Sequence, residues 1–337
     1  MADVLQVTEA GLYCPVGDFY IDPWKAVPRA VLTHGHADHA RWGCGQYLVP
    51  AAGLPVFRTR LGADAILDGR GYGAVTTHNG VQISFHPAGH ILGSAQVRVE
   101  HAGHVTVVSG DYKTAADATC AGFVPVRCQR FITESTFGLP IYHWPPAATV
   151  FAELNAWWRA NAAAGVTSII YAYALGKAQR LLLGLDATIG PLYMHGAVER
   201  LNAAYRSAGV PIPKTQLAGT GKKGTWAGGL VLAPPSAHGS TWARKFAPAS
   251  TAIASGWMQM RGTRRRKAVD RGVVLSDHAD WPGLLGAIRA TRAERVSVTH
   301  GYTAVLSRWL REQGTEADVL ATHFAGEIDD APADDGA

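Results

Sequence analysis

His34-Gly35-His36-Ala37-Asp38-His39 follows directly on the β-type run Ala30-Val31-Leu32-Thr33. Three imidazoles and one carboxylate within six residues, on a turn containing a glycine, make a dense set of nitrogen and oxygen donors of the kind that suits borderline divalent ions such as zinc. A histidine loop that merely faces solvent is the bland alternative, but with 14 histidines in 337 residues chance seldom assembles this string. A hexapeptide cannot by itself surround two ions, so further donors would have to come from distant strand ends. His90 in PAGHILGSA, Asp111 at the end of VTVVSGD and His300 at the end of RVSVTH stand at such places. Each alone reads as a turn or a structural residue. Together with the hexapeptide they read as one site.

Working outward, residues 1–138 alternate short apolar runs with Gly, Pro and Asp: DFYIDP, AVLTHG, QYLVP, VQISFHPAGH, AQVRVEHAGHVTVVSGD and RFITES all read as a strand followed by a loop. Asp22, His34, His90, Asp111 and Glu134 fall just after, or at the end of, such runs. Strand ends are where a layered α/β scaffold offers several groups to one point. His101 and His104, spaced as a pair, belong instead to a hairpin turn. Residues 139–270 change texture. The helical patterns ATVFAELNAWWRANAAAG, GKAQRLLLGLD and GAVERLNAAYRSAG interleave with the short strands TSIIYAYA, PLYMHG, GLVLAP and TAIASGWM, a βα alternation that predicts a parallel sheet. Trp157 and Trp158 fall on the helical period and read as core. Residues 271–325 return to the first texture, and 326–337 read as an acidic, disordered tail.

Apolar residues make up 47% and charged residues 17%, which excludes a fibrous repeat or a wholly disordered chain. The net charge is +5, but the last twelve residues hold five acids and no base, so residues 1–325 carry +10. That balance is permissive for a polyanionic partner. Arg261, Arg264, Arg265, Arg266 and Lys267 form a basic run just before the strand leading to His278, and read as phosphate-backbone contacts. Lys177, at the start of the helix in ALGKAQ, is a further phosphate candidate. Four cysteines without a Cys-x-x-Cys spacing, an N-terminus unlike a signal peptide and no apolar run long enough to span a bilayer predict a cytoplasmic protein without a membrane partner.

Asp22 in IDP, the hexapeptide, His90 in AGHILGSA and Asp111 in SGDY resemble the four ordered motifs of the metallo-β-lactamase fold. Glu134 in TESTFG, His278 in SDHAD and His300 in VTHG resemble the three further motifs of its nucleic-acid-processing branch, the β-CASP nucleases. The seven motifs keep the family's order over about residues 10–325. Between them, YALGKAQRLL, ASGWM and LSDHADWPGLL are most similar to bacterial DNA exonucleases associated with an ATP-dependent DNA ligase.

The resemblance implies an α/β protein: an αβ/βα sandwich of residues 1–138 and 271–325 with a smaller β-CASP cap, 139–270, inserted. It implies two divalent ions, zinc by the chemistry of the donors, with manganese able to occupy the same set. His34, His36 and His90 would hold one, Asp38, His39 and His300 the other, with Asp111 bridging and Asp22 buttressing the ligand loop. His278 is then the candidate general acid or oxyanion stabiliser and Glu134 its orienting partner; with Asp38, itself a ligand, they are the catalytic candidates. The implied activity is a DNA exonuclease of repair, working 5′→3′ on phosphodiesters with metal-activated water and in functional association with a DNA ligase and a helicase. An RNA-processing nuclease of the same branch remains the alternative, because no motif reads the 2′-hydroxyl. A small-molecule metallo-hydrolase is the remote one, since such relatives lack the inserted segment and the Ser-Asp-His and Thr-His-Gly elements present here.

Overall fold

The computed structural model describes residues 3–219, 224–260 and 269–322. Among these the chain forms two compact units: residues up to His143 with those from His278 onward, and Trp144–Asp277. The basic run Arg261, Arg264, Arg265, Arg266 and Lys267 and the acidic tail 326–337 lie outside the described residues. The strand Arg271–Val273 runs parallel to Ala249–Ala254 and so extends the second unit's sheet, which puts the junction at Asp277/His278 where the sequence pattern puts it at 270/271.

Two sheets build the first unit. One has six strands in chain order, from Gln6–Thr8 to Leu67–Arg70. The other has seven, in the order Glu316–Val319, Arg295–Gly301, Arg130–Ser135, His104–Val108, Ala95–His101, Val81–Pro87 and Thr76–His78. Alternation along the strands decides the layers. Phe19, Ile21 and Val31 of the first sheet share a buried core with Ile83, Phe85, Val97, Val99, Val108 and Ile132 of the second. Their sequence neighbours point the other way. Ala30 and Leu32 join Tyr47 beneath Phe57 of the helix Leu54–Leu61. Val107 and Phe131 join Leu285 and Ile288 of the helix Trp281–Thr291 and Leu306 and Leu310 of the helix Thr303–Glu312. The unit is therefore layered helix, sheet, sheet, helix, each buried aliphatic or phenyl side chain contributing about 1.5–3 kcal/mol.

This arrangement brings strand ends together. Val81–Pro87, His104–Val108, Arg130–Ser135 and Arg295–Gly301 all run in one direction, so His90, Asp111, Glu134 and His300 lie along one edge of the seven-stranded sheet. On the facing sheet the parallel strands Phe19–Ile21 and Arg29–Val31 end just before Asp22 and His34. A bulge completes the edge: Glu134 pairs with Thr299 but Ser135 with Gly301, leaving His300 as the extra residue at φ 56°. Such a bulge re-aims one side chain of an otherwise regular strand.

The second unit is a six-stranded parallel sheet ordered Gln216–Leu217, Leu192–Met194, Leu230–Ala233, Thr167–Tyr171, Ala249–Ala254 and Arg271–Val273. The helices Ala147–Ala163, Lys177–Gly184 and Gly196–Ser207 fall where the βα alternation places them, with Trp157 and Trp158 buried.

Gly301 follows the bulge at φ 71°, and a Cβ there would meet Ser135 O at 2.4 Å and Thr136 Cα at 2.5 Å, both backbone atoms that cannot swing aside. Gly301→Ala is expected to destabilise the first unit by at least about 1–3 kcal/mol. An unchanged midpoint in a denaturant titration would show that the bulge yields freely.

Candidate metal centre

The ligand loop is shaped by one buried carboxylate. Asp22, itself at φ 44°, accepts the Thr33 N–H at 2.8 Å on Oδ1 and the Thr33 hydroxyl at 2.6 Å on Oδ2. The same Oδ2 lies 2.7 Å from His39 Nδ1. Thr33 has one hydroxyl proton and gives it to Asp22, so the 3.0 Å contact from His34 Nδ1 must carry that ring's own proton to Thr33 Oγ1. Burial, reinforced by the neighbouring rings of His39, His90 and His36, pushes the His34 pKa well below its ordinary value. A neutral ring protonated at Nδ1 presents a lone pair at Nε2.

Facing that lone pair are further imidazole nitrogens and a carboxylate. His36 Nδ1 lies 3.1 Å from both His34 Nε2 and His90 Nε2. Asp111 Oδ2 is 3.4 Å from His34 Nε2, 3.8 Å from His90 Nε2 and 3.6 Å from His39 Nε2. Asp38 Oδ2 lies 3.7 Å from His39 Nε2, and the His300 ring stacks on His39 at 5.2 Å. Four overlapping clusters of potential donors result among the described residues: His34–His36–His90–Asp111, Asp38–His39–His300, Asp22–His34–His39 and Asp111–Glu134–His278; in the first two, one oxygen of Asp111 lies beside imidazole nitrogens of both. Asp111 Oδ1 is buried and finds no hydrogen-bond donor among the described residues.

Electrostatics sharpens the point. Burial alone would lower His39, yet Asp111, Asp38 and Asp22 overcome it and push its pKa up to about 10. Burial raises Asp111 to about 7 even with His39 beside it. Burial, with His39, drives His300 well below its ordinary value. Acceptors this close need positive charge between them, and without it the site holds protons instead. The donor set fits divalent ions: nitrogens about 2.0–2.1 Å from a tetrahedral ion are roughly 3.3–3.4 Å from one another, close to the separations present here.

Beside this cluster, His278 and Glu134 form a pair buried to 2% and 1% exposure. His278 Nδ1 donates to Glu134, 3.0 Å from Oε1 and 2.9 Å from Oε2. Glu134 is fixed in turn by the Tyr112 N–H at 2.6 Å and the Thr136 hydroxyl at 2.5 Å. Tyr112 follows Asp111 in the chain, so one peptide links the shared carboxylate to the Glu134–His278 pair. The His278 ring lies 4.7 Å from that of His90.

Asp22, His34, His36, Asp38, His39, His90, Asp111, Glu134, His278 and His300 are thus brought to one edge of the first unit. Lys177 is not brought to a surface. It is fully buried in the second unit, its Nζ 3.6 Å from Asp277 Oδ2 and 4.6 Å above the Tyr173 ring, so its charge is directed at a carboxylate and not offered to a phosphate. Three residues that position the site carry no motif of their own. Thr33 links Asp22 to His34. Thr136 holds Glu134. Gly110, at φ 55°, leaves room for Thr33, whose Cβ would lie 2.6 Å from a Cβ added there. Their adjacency to His34, Glu134 and Asp111 is the only signal the sequence offers for them.

No family model matches the chain. Over 314 residues, 91% of this chain, it is 31% identical to a protein named probable DNA ligase from Opitutus terrae, of which it spans 30%. Over about a third of its length it is 32% identical to cleavage and polyadenylation specificity factor subunit 3 of Dictyostelium discoideum and 30% identical to endoribonuclease YSH1 of Saccharomyces cerevisiae, spanning 14% and 15% of those proteins. Its fold is shared with a protein of unknown function from Enterococcus faecalis V583, with a TM-score of 0.62 at 11% identity, covering 87% of this chain and 79% of that one.

Asp22→Asn keeps the shape but removes the charge that orients His39 and Thr33, and is expected to weaken zinc binding about 10- to 100-fold in a chelator competition. His39 keeps its proton up to about pH 10 in the metal-free protein, so a cation taken up at lower pH must displace it. Zinc uptake should therefore release protons and strengthen as pH rises toward that value. Calorimetry in two buffers of different ionisation enthalpy measures the release; a buffer-independent heat would contradict it.

Proposed function

We propose that this chain is a metal-dependent nuclease of the β-CASP branch of the metallo-β-lactamase fold, acting on DNA as an exonuclease, 5′→3′, in repair. The observation that carries the reading is Asp111, one of whose oxygens lies within 3.6 Å of imidazole nitrogens from both donor groups, with the Glu134–His278 pair one residue away. His34, His36 and His90 would hold one ion and Asp38, His39 and His300 the other, with Asp111 shared. Two divalent ions so held supply an activated water and neutralise the charge of a phosphodiester.

The chain's own residues do the rest. Asp22 keeps the His39 ring turned so that Nε2 faces the cluster, and Thr33 does the same for His34. Glu134 accepts the Nδ1–H of His278 and so orients the ring, whose opposite nitrogen would donate a proton to, or stabilise the charge on, the departing oxygen of the cleaved strand. Glu134 is itself saturated by Tyr112 and Thr136, so it orients the ring more than it exchanges protons.

Support for DNA comes from the length of the similarity to the protein named a DNA ligase, 91% of this chain, and that relative also favours a partnership with ligase chemistry. The RNA reading has its own support in the similarity to endoribonucleases over a third of the chain. Metal-stripped protein resupplied with zinc or manganese, and given matched DNA and RNA strands labelled at either end, separates them. Progressive shortening of DNA from its 5′ end is the expected result. Internal cuts or a preference for RNA would move the chain to the other reading, and no cleavage of either would overturn both. His278→Ala should lower turnover about 10²- to 10⁴-fold while metal content stays the same; loss of metal would make His278 a ligand instead.

A further inference from the structure

Three residues beyond His39, the large aromatic side chain of Trp42 stands 73% exposed. It occupies the tip of a turn that is held in place from below. The buried Tyr47 hydroxyl donates to Arg41 O at 2.9 Å and accepts the Cys44 N–H at 2.9 Å, clamping the residues on either side of Trp42 and Gly43. Gly43, at φ 86°, makes the reversal that the clamp requires. No aromatic ring packs on Trp42 among the described residues, and the Arg41 side chain beside it is exposed as well. A rigid backbone presenting an indole to solvent forgoes the burial that most tryptophans obtain. The arrangement suits a planar ligand that arrives from outside.

Position identifies the ligand. Three residues of chain span at most about 11 Å, so the indole is tethered within one short stretch of a donor in the candidate metal centre. A polyanion bound there would pass the exposed guanidinium of Arg41, next to Trp42 in the chain. We infer that Trp42 is a stacking platform for one unpaired nucleobase of a single-stranded nucleic acid whose backbone lies at the metal centre. This rests on the nuclease reading and adds a base-binding residue to it. Stacking on an aromatic face tolerates any base, so Trp42 would hold the strand without selecting its sequence.

The test measures binding of a fluorescent single-stranded DNA oligonucleotide by anisotropy. The metal-loaded protein carries His278→Ala so that the strand is not consumed. Adding Trp42→Ala should weaken binding about 5- to 150-fold, with Trp42→Phe recovering most of the loss. The salt dependence should keep its slope, because no charge is removed. Replacing nucleotides one at a time by abasic residues should reveal one position that costs the Trp42 protein affinity and leaves the Trp42→Ala protein unaffected. Equal affinity of the two proteins for the intact strand, or the same abasic profile in both, would overturn the inference and leave the nuclease reading standing. Absence of oligonucleotide binding by the Trp42 protein itself would overturn the nuclease reading and the inference together. Trp42 is exposed, so its removal should leave the unfolding midpoint unchanged, and a melt checks this.

Discussion

Buried acceptors cannot crowd together without positive charge among them, and the edge of the first unit is built on that constraint. His34, His36, His90 and Asp111 converge with separations of 3.1–3.8 Å, and Asp38, His39 and His300 gather alongside. Each group alone could be accommodated by a hydrogen bond. Collectively they need either protons or metal ions, and the opposed shifts of His34, driven down, and His39, driven up, show the protein dividing its few protons unevenly. The fold supplies the stiffness that holds such a cluster. Asp22 and Thr33 lock the loop, the Asp111–Tyr112 peptide locks Glu134, and the bulge at His300 aims a ring that a regular strand would turn away.

Asp22, His34, His90, Asp111, Glu134 and His300 were legible in the sequence as His and acidic residues at or just after strand ends, whereas His278 follows no strand directly and entered through the family resemblance alone. The helices of the second unit and those after His278 were equally legible from their apolar period. Other features were not. The helix Leu54–Leu61 has eight residues, three of them Arg or Thr on its exposed side, and lacks an apolar stripe strong enough to announce it. The junction at Asp277 was obscured because Arg271–Val273 is a short strand whose partner, Ala249–Ala254, precedes it by a long interval. Lys177 reads as a phosphate candidate because a lysine at a helix start signals an anion site, but here a buried carboxylate, Asp277, lies opposite it. That pairing joins residues a hundred positions apart and leaves no local trace. Thr33, Thr136 and Gly110 act through contacts of the same kind.

The two units contribute differently to the functional reading. Every donor of the candidate metal centre, and the Glu134–His278 pair, belongs to the first unit. The second unit is a self-contained parallel sheet whose end carries the residue just before His278. Lys177 and Arg180, at 3.6 and 3.5 Å from the Asp277 carboxylate, anchor the chain immediately upstream of the proposed acid.

The seven-stranded sheet has a further consequence, in the order of synthesis. Arg130–Ser135 pairs on one side with His104–Val108, made shortly before it, and on the other with Arg295–Gly301, which leaves the ribosome only after the whole inserted unit. Until then one edge of an apolar strand stands bare, open to pairing with another chain, and neither His278 nor His300 exists to complete the site. His34, His36, His90 and Asp111 can assemble early, while His278 and His300 come late. A chain halted partway through translation would carry a bare strand edge beside half a site.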